Sequence, residues 1–396
     1  MKIKVAEDVY WVGAIDWDVR NFHGYTYTTH RGTTYNAYLV LDEKVALVDT
    51  VDAGFSQEML KRIGKLTDPT RIDYLVANHG EIDHSGAIPE VMKVAPQAKL
   101  VCSKKGEQTL RRYFGGQGWD ITVVGTGDEI NLGRKTLKFI EAPMLHWPDS
   151  MFTYISQEAL LLPNDAFGQH LATSQRFADE VDECLVLGEA AKYYANILWP
   201  FSPLVIKKIK EIQEMGLEIA TIAPSHGLIW RDPGKIIEAY LRWARGEAKP
   251  RVVVVYETMW GSTRRMAGAL VEGIQQEGIE VSLYALPMSD RSDVITDLLE
   301  ARGILVGSSV HNNEMLLNMA AFLEDLKGLK PIGKIGAAFG SYGWGSRAIP
   351  QMEEKLRQAG VELVEADLSF QFAPDEDEIE RCIEFGREFA RKVKKR

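Results

Sequence analysis

A short polar segment of the chain contains four side chains that can bind a metal ion. It follows an apolar stretch that ends at Asn78, and it reads His79-Gly80-Glu81-Ile82-Asp83-His84. A loop at the end of a buried strand can turn such side chains toward one point. The alternative is a solvated surface loop. That alternative does not predict further His and Asp residues after other apolar runs, whereas a metal site does.

Three further candidates occur in a similar context. His146, Asp165 and His226 each lie shortly after an apolar run, and the runs are residues 140–143, 160–164 and 222–225. The carboxyl ends of strands are where α/β folds place their sites, so we expect the seven side chains to converge. The three cysteines are scattered, which excludes a disulfide framework, a thiolate zinc site and an iron–sulfur cluster. Any metal must therefore be held by His, Asp and Glu.

A second group of candidates follows the β-branched run from Arg251 to Tyr256. Backbone N–H groups and hydroxyls at the start of a helix can hold a phosphate. No Walker lysine is present, so a nucleoside triphosphate is not expected. A plain capping turn is the alternative for this loop, which consists of Thr258, Met259, Trp260, Gly261, Ser262 and Thr263.

Two more loops favour a flavin over the plain turn. They follow predicted strands at 303–309 and 334–340, at the edge where flavodoxin-type sheets bind FMN. Their glycines permit close approach of the backbone, and Tyr342 or Trp344 could stack on the isoalloxazine ring. The candidate residues are Ser308, Ser309, His311, Asn312 and Asn313 in one loop, and Ser341, Tyr342, Gly343, Trp344 and Gly345 in the other.

The elements that position these residues fall into two halves. In the first half, strands are predicted at 35–40, 45–49, 74–78, 119–124, 136–141, 151–155, 160–162 and 219–223, and helices at 178–199 and 203–215. In the second half, strands at 251–256, 281–285, 303–309, 334–340 and 361–367 alternate with stretches that can hold helices. Strict βα alternation predicts a doubly wound parallel sheet.

The length of 396 residues exceeds what one core usually holds, so two domains are expected. The polar segment 245–250 ends in proline and resembles a linker. We therefore predict domains at 1–248 and 249–396. The net charge of −10 argues against a nucleic-acid partner. No apolar run predicts a membrane span or a secretory signal, so a cytoplasmic location is expected.

The motif His-x-Glu-x-Asp-His, followed by the later His, Asp and His, resembles that of flavodiiron proteins. Zinc hydrolases of the same metallo-β-lactamase fold usually have a histidine where this chain has Glu81. A carboxylate there favours iron, because it is harder and more anionic than imidazole. The resemblance implies an α/β protein in which an N-terminal metallo-β-lactamase-like αββα sandwich precedes a flavodoxin-like, doubly wound parallel sheet of five strands.

The resemblance also implies the cofactors and the activity. One iron would be held by His79, Glu81 and His146, the other by Asp83, His84 and His226, with Asp165 bridging; His84 does not reach the metal in some members. Electrons would pass from a donor protein such as rubredoxin, or from reduced F420, through FMN to the two irons. Dioxygen would be reduced to water, or nitric oxide to nitrous oxide. A head-to-tail homodimer or a homotetramer is expected.

Two other functions remain open at this stage. A zinc hydrolase with a flavodoxin domain would contain zinc without iron, and an FMN electron carrier would reduce neither gas. His23, Tyr25 and Tyr193 are further candidates for proton supply or for hydrogen bonds to the metal ligands.

Overall fold

The computed structural model describes residues 2–115, 118–345 and 347–395. They form two compact units, and the chain passes between the units more than once. The first unit comprises the chain up to Tyr193 together with Pro203–Leu241, and the second comprises Tyr194–Ser202 together with the chain from Arg242 onward. The predicted division at 248/249 is continuous in sequence and remains a prediction.

Two sheets form the centre of the first unit. Among the described residues, the larger sheet has the order β1-β2-β7-β8-β9-β10-β11. Its strands are β1 (Ile3–Ala6), β2 (Val9–Trp11), β7 (Tyr38–Val40), β8 (Val45–Val48), β9 (Ile72–Ala77), β10 (Lys99–Cys102) and β11 (Ile121–Val123). Short pairs are formed by β3 (Ala14–Asp16) with β6 (Thr33–Tyr35), and by β4 (Asn21–Phe22) with β5 (Tyr27–Thr28).

The second sheet has the order β12-β13-β14-β15-β16 within the described residues. Its strands are β12 (Glu129–Asn131), β13 (Thr136–Glu141), β14 (Met151–Ile155), β15 (Leu160–Leu162) and β16 (Thr221–Ile222). One apolar core contains side chains of both sheets, among them Val48 and Val76 from the first and Phe139 and Leu162 from the second. The two sheets therefore pack face to face.

Helices accompany these sheets along the chain. They are α1 (Ser56–Ile63), α2 (Ile82–Ser85), α3 (Ile88–Val94), α4 (Lys104–Phe114), α5 (Glu183–Tyr193), α6 (Ser202–Glu214) and α7 (Pro233–Ala244). Short 3-10 turns lie at Ala53–Phe55, Pro69–Arg71, Ser156–Glu158, Ala178–Glu180 and Trp199–Phe201, and a π-helical turn lies at Tyr194–Leu198. The predicted metallo-β-lactamase-like sandwich is confirmed.

The second unit is a parallel sheet in the order β18-β17-β19-β21-β22, with two short strands paired beside it in the described part of the chain. Its strands are β17 (Lys249–Glu257), β18 (Glu280–Ala285), β19 (Ala301–His311), β20 (Glu314–Met315), β21 (Ile335–Tyr342), β22 (Glu362–Leu363) and β23 (Ser369–Gln371). Its helices are α8 (Ser262–Gln276), α9 (Arg291–Glu300), α10 (Leu317–Leu329), α11 (Ala348–Gln358) and α12 (Glu376–Lys394). The predicted flavodoxin-like architecture is confirmed.

Three predicted elements differ from the structure. The strand expected at 35–40 is divided, because Tyr35 ends β6, which pairs with β3, and only Tyr38–Val40 belongs to the larger sheet as β7. The fifth strand, expected at 361–367, pairs with β21 only at Glu362–Leu363, and β23 continues the edge after a break. An edge strand has one neighbour, so its ladder is easily interrupted. The helix expected at 178–199 ends as an α-helix at Tyr193 and continues as a π-helical turn. The chain enters the second unit at that point.

Candidate metal centre and flavin site

The ends of four strands deliver the predicted metal ligands. His79 follows β9 of the first sheet, while His146, Asp165 and His226 follow β13, β15 and β16 of the second. Because β15 and β16 are parallel neighbours, their exits bring Asp165 and His226 together. Glu81 lies at the N-cap of α2, and the first turn of that helix contains Asp83 and His84.

The donor atoms form two sets. His79, Glu81, His146 and Asp165 form one set within which the ligand atoms lie within 4.8 Å of one another, and Asp83, His84 and His226 form the other. The structure thus brings all seven predicted residues together, His84 included. Their assignment as iron ligands remains a prediction.

Asp165 contacts histidines of both sets through its two oxygens. Oδ1 lies 3.0 Å from His84 Nε2 and 3.5 Å from His226 Nε2. Oδ2 lies 3.3 Å from His146 Nε2 and 3.6 Å from His79 Nε2. Ser225, which was not predicted, donates its hydroxyl to Oδ1 at 3.1 Å. This is the arrangement of a carboxylate that bridges two ions.

The separations between donor atoms fit a pair of metal ions. Atoms held about 2.1 Å from one ion are about 3.0 Å apart in an octahedron and about 3.4 Å apart in a tetrahedron. Asp83 Oδ2 lies 3.1 Å from His226 Nε2, and Glu81 Oε2 lies 3.2 Å from His79 Nε2 and 3.4 Å from His146 Nε2. Asp165 Oδ2 is buried and has no hydrogen-bond partner among the described residues. A cation would satisfy that oxygen.

The electrostatics of the cluster also favour cations. Burial opposes a charge on His79, but hydrogen bonds to nearby carboxylates outweigh it and raise the pKa of this imidazole to about 10. The same balance raises the pKa of His146 to about 10, and the negative charges of Asp83 and Asp165 raise that of His84 to about 9. Burial opposes the charge of Asp165, yet the surrounding histidines lower its pKa well below the ordinary value. Metal ions would replace the protons on these rings, because ligand imidazoles are neutral.

The three further candidates, His23, Tyr193 and Tyr25, lie at different distances from the metal ligands. His23 Nε2 lies 3.3 Å from Glu81 Oε1, so this residue reaches the site. Tyr193 is buried, and its ring lies 5.2 Å from that of His170 and 6.3 Å from that of His226. Tyr25 is 85% exposed, and among the described residues no hydrogen bond or ring contact joins it to the metal ligands, so its role stays a prediction.

Several groups that hold the ligands escaped the sequence analysis. The main-chain oxygen of Thr34 lies 2.7 Å from His226 Nδ1, and Asp149 Oδ1 lies 3.0 Å from His79 Nδ1. Buried Asp49 accepts hydrogen bonds from the side chains of Asn78 and Asn164, the residues that precede two of the ligands. Asp149 follows His146 closely in the same strand-exit loop, and this proximity is the one local signal that could have identified it.

The predicted flavin residues surround a cavity in the second unit. Its volume is about 530 Å³. It lies at the carboxyl ends of β17, β19 and β21, and Trp260 and Trp344 at its rim are 94% and 93% exposed. Predicted residues that line it are Met259, Trp260, Ser262, Ser309, His311, Asn312, Asn313, Ser341, Tyr342, Gly343, Trp344 and Gly345.

Four predicted flavin residues lie outside the cavity lining and support the loops instead. Thr258 Oγ1 accepts a hydrogen bond from the N–H of Gly261 at 3.1 Å. Thr263 is buried, and its hydroxyl lies 2.9 Å from that of Ser309. Ser308 Oγ accepts the N–H of Leu316 at 2.9 Å. The lining also contains three residues that were not predicted, Val310, Phe372 and Ala373.

The turn between β19 and β20 forms the tip of one of the flavin loops. Asn312 and Asn313 have φ angles of 51° and 65°. Asparagine tolerates this left-handed conformation, and two such residues in succession close a tight hairpin. The turn holds both side chains at the cavity.

Known proteins share this organisation. Residues 33–227 match the family described as "ODP family beta lactamase", and residues 254–386 match the flavodoxin family. A nitric oxide reductase of Moorella thermoacetica is 52% identical over 393 residues, which cover 99% of this chain and 98% of that protein.

Solved structures agree with these matches. The rubredoxin oxygen:oxidoreductase of Desulfovibrio gigas has a TM-score of 0.97 at 36% identity, covering 100% of this chain and 99% of that one. The flavodiiron protein of Giardia intestinalis has a TM-score of 0.96 at 35% identity, with 100% and 97% covered. The similarity in fold and in sequence covers at least 97% of the length of each of these relatives. The chain therefore belongs to the flavodiiron protein family.

Proposed function

We propose that this chain is an oxidoreductase that reduces nitric oxide, dioxygen or both at a pair of non-haem irons, with electrons that arrive through FMN. Nitric oxide would give nitrous oxide and water, and dioxygen would give water. The observation that carries the proposal is the position of Asp165, whose two oxygens face two separate sets of imidazole and carboxylate donors. A hydrolase would not need the FMN cavity of the second unit.

The donor chemistry supports iron at this centre. Each set combines two imidazoles with one carboxylate of its own, and the two sets share Asp165. Mixed nitrogen and oxygen donors with open positions suit non-haem iron, and the excess of negative charge offsets the charge of two cations. When bound, the irons and FMN would supply one-electron redox chemistry and the conversion between two-electron and one-electron transfer.

Two histidines beside the candidate ligands have different roles in the supply of protons to the substrate. His23 has a side chain that is 30% exposed, and its Nε2 lies 3.3 Å from Glu81 Oε1. It can therefore take a proton from water and hold it at the edge of the metal centre. His170 is buried beside His226, and burial with the neighbouring imidazole lowers the pKa of His170 well below its ordinary value. This ring therefore stays uncharged and fills space behind the ligands.

Partner and location are proposals of the same kind. The name of the Desulfovibrio gigas relative includes rubredoxin, and we propose a rubredoxin as the electron donor of this chain as well. A homodimer or homotetramer remains a prediction. The three cysteines are all free, which supports a reducing, cytoplasmic location. Over the residues that the structure describes, no helix combines the length and the apolar character that a membrane crossing requires.

An anaerobic assay of reduced protein with each gas in turn, together with iron and flavin quantitation, tests the proposal. We expect two irons and one FMN per chain, and turnover of at least one of the gases. Asp165→Asn should lose iron and gas reduction while the flavin spectrum persists, because an amide is a weaker and uncharged bridge. Asp179→Asn is the control, since Asp179 pairs with Arg231 on the surface. Zinc without iron in natively loaded protein, or turnover by Asp165→Asn equal to that of the wild type, would refute the proposal.

A further inference from the structure

The two donor sets are alike in their ligands, but different groups face the outer nitrogens of His79, His84 and His226. Each ring directs Nε2 into the cluster, which leaves Nδ1 on the far side. His79 Nδ1 lies 3.0 Å from a carboxylate oxygen of Asp149. His226 Nδ1 lies 2.7 Å from the main-chain oxygen of Thr34. His84 Nδ1 is buried and has no hydrogen-bond partner within the described residues.

Asp149 is held firmly in this position. Its side chain is 1% exposed, and Oδ2 accepts the N–H of Gly80 at 2.8 Å. Its main-chain oxygen accepts the hydroxyl of Ser103 at 2.9 Å. The carboxylate therefore has one oxygen on the ligand ring and the other on the backbone of the ligand loop.

The glycine of the metal-binding motif leaves room for this carboxylate. A Cβ atom at position 80 would lie 2.8 Å from Asp149 Oδ2 and 2.6 Å from Thr109 Cγ2. Real Cβ atoms do not come so close, so a side chain here would displace Asp149. The need for a glycine between His79 and Glu81 thus comes from Asp149, a residue far along the chain.

The nature of the outer partner changes the donor strength of an imidazole. A carboxylate that accepts the N–H of a ligand histidine fixes the tautomer and raises the basicity of the ring. A main-chain carbonyl has the same effect more weakly, because it carries no net charge. A more basic donor stabilises the higher oxidation state of a bound metal.

We propose that Asp149 is a positioning residue that, through His79, makes the two iron sites unequal. The iron held by His79, Glu81 and His146 receives the stronger donor, binds more tightly and is the first of the pair to give up an electron. This inference rests on the proposed function, because it requires iron in both donor sets.

Asp149→Asn tests the inference with readouts that do not depend on turnover. The amide has nearly the same size as the carboxylate but only one acceptor oxygen, so the substitution removes the negative charge and one of the two hydrogen bonds that Asp149 accepts. We expect one iron per chain to bind about 10–100-fold more weakly in a competition titration with a chelator, the usual effect of such partners. In a redox titration followed by Mössbauer spectroscopy, the midpoint potential of that iron should rise.

Two further variants separate tuning from folding. Ser103→Ala releases the main chain of Asp149 and leaves its carboxylate unchanged, so it should keep the wild-type affinity and potential. Asp149→Glu restores the charge and should recover at least part of both quantities. Equal changes in Ser103→Ala and Asp149→Asn, or no recovery in a folded Asp149→Glu protein, would overturn the inference.

The outcomes also distinguish this inference from the proposed function. Wild-type protein that binds two irons, with unchanged affinity and potential in Asp149→Asn, would overturn the role of Asp149 alone. Wild-type protein that binds no iron pair would overturn both.

Discussion

At the residue scale, we expect Glu81 to decide which metals the centre prefers. Its Oε2 lies between His79 Nε2 and His146 Nε2, at 3.2 Å and 3.4 Å, and Oε1 faces His23. One carboxylate thus contacts three imidazoles. A histidine at this position would replace a hard anionic donor by a neutral one, and it would leave the cluster with less charge to offset two cations.

We therefore expect Glu81→His to shift the natively bound metal from iron toward zinc. Substitution of residues that only hydrogen-bond to metal ligands typically lowers activity by roughly 10–100-fold. Because Glu81 is itself a candidate ligand, the rate of gas reduction should fall by more than that. Metal analysis of protein purified from cells grown with both metals, together with the anaerobic assay, measures both effects. Glu183→His on the surface, where Glu183 pairs with Lys235, is the matched control. An unchanged ratio of iron to zinc would show that Glu81 does not select the metal.

At the element scale, both sites depend on where strands end. In the second unit, the parallel strands β17, β19 and β21 deliver three loops to one edge of the sheet, as doubly wound sheets do. Thr263 in the first turn of α8 connects these loops, because its hydroxyl lies 2.9 Å from that of Ser309 and 3.3 Å from that of Ser341. The first loop is therefore tied to the other two by one buried hydroxyl.

Thr263→Ala should weaken the binding of FMN. Loss of one net hydrogen bond corresponds to about 0.5–1.5 kcal/mol, which is roughly a 2–13-fold increase in the dissociation constant. Equilibrium dialysis with fluorescence of the released flavin measures this change. Thr296→Ala removes a hydroxyl that bonds within α9, to the main-chain oxygen of Ser292, and should leave FMN affinity unchanged. Equal FMN affinity in Thr263→Ala and the wild type would contradict the phosphate-loop assignment.

At the scale of the whole molecule, the compact units do not follow the order of the chain. The segment Tyr194–Ser202 belongs to the second unit although the chain then returns to the first. Trp199 of this segment is buried, and its ring centroid lies 5.5 Å from Lys334 Nζ. Lys334 is buried as well and donates to the main-chain oxygen of Leu299 at 2.8 Å. Burial lowers the pKa of this lysine from 10.5 to about 7.

Lys334 should make the stability of the second unit depend on pH. Between about pH 7 and 10.5 the unfolded chain holds the lysine proton and the folded chain does not, so the free energy of unfolding rises with pH. The slope is at most about 1.4 kcal/mol per pH unit. Lys334→Met should flatten it, as denaturant unfolding at a series of pH values would measure. Exposed Lys392→Met should keep the slope, and a slope that survives in Lys334→Met would disprove its origin in this lysine.

Local residue patterns were sufficient to predict many of the elements and candidate site residues. The seven ligand candidates, the three loops around the cavity and most strand positions follow from the sequence, because apolar runs and the polar residues after them are close together in the chain. The bounds of β13, β14 and β15 agree with the predicted strand positions for the same reason. The break in the fifth strand was not predictable, since it depends on which neighbour the edge pairs with.

Only the tertiary structure decided how the ligands are held. The division of Asp165 between two donor sets, the contact of Asp149 with His79 and that of Thr34 with His226 join residues far apart in the chain. Phe372 and Ala373 likewise reach the flavin cavity through the pairing of β23 with β21. Such contacts arise when two sheets pack face to face or when an edge strand is added, and no local residue pattern records which distant partner will lie opposite.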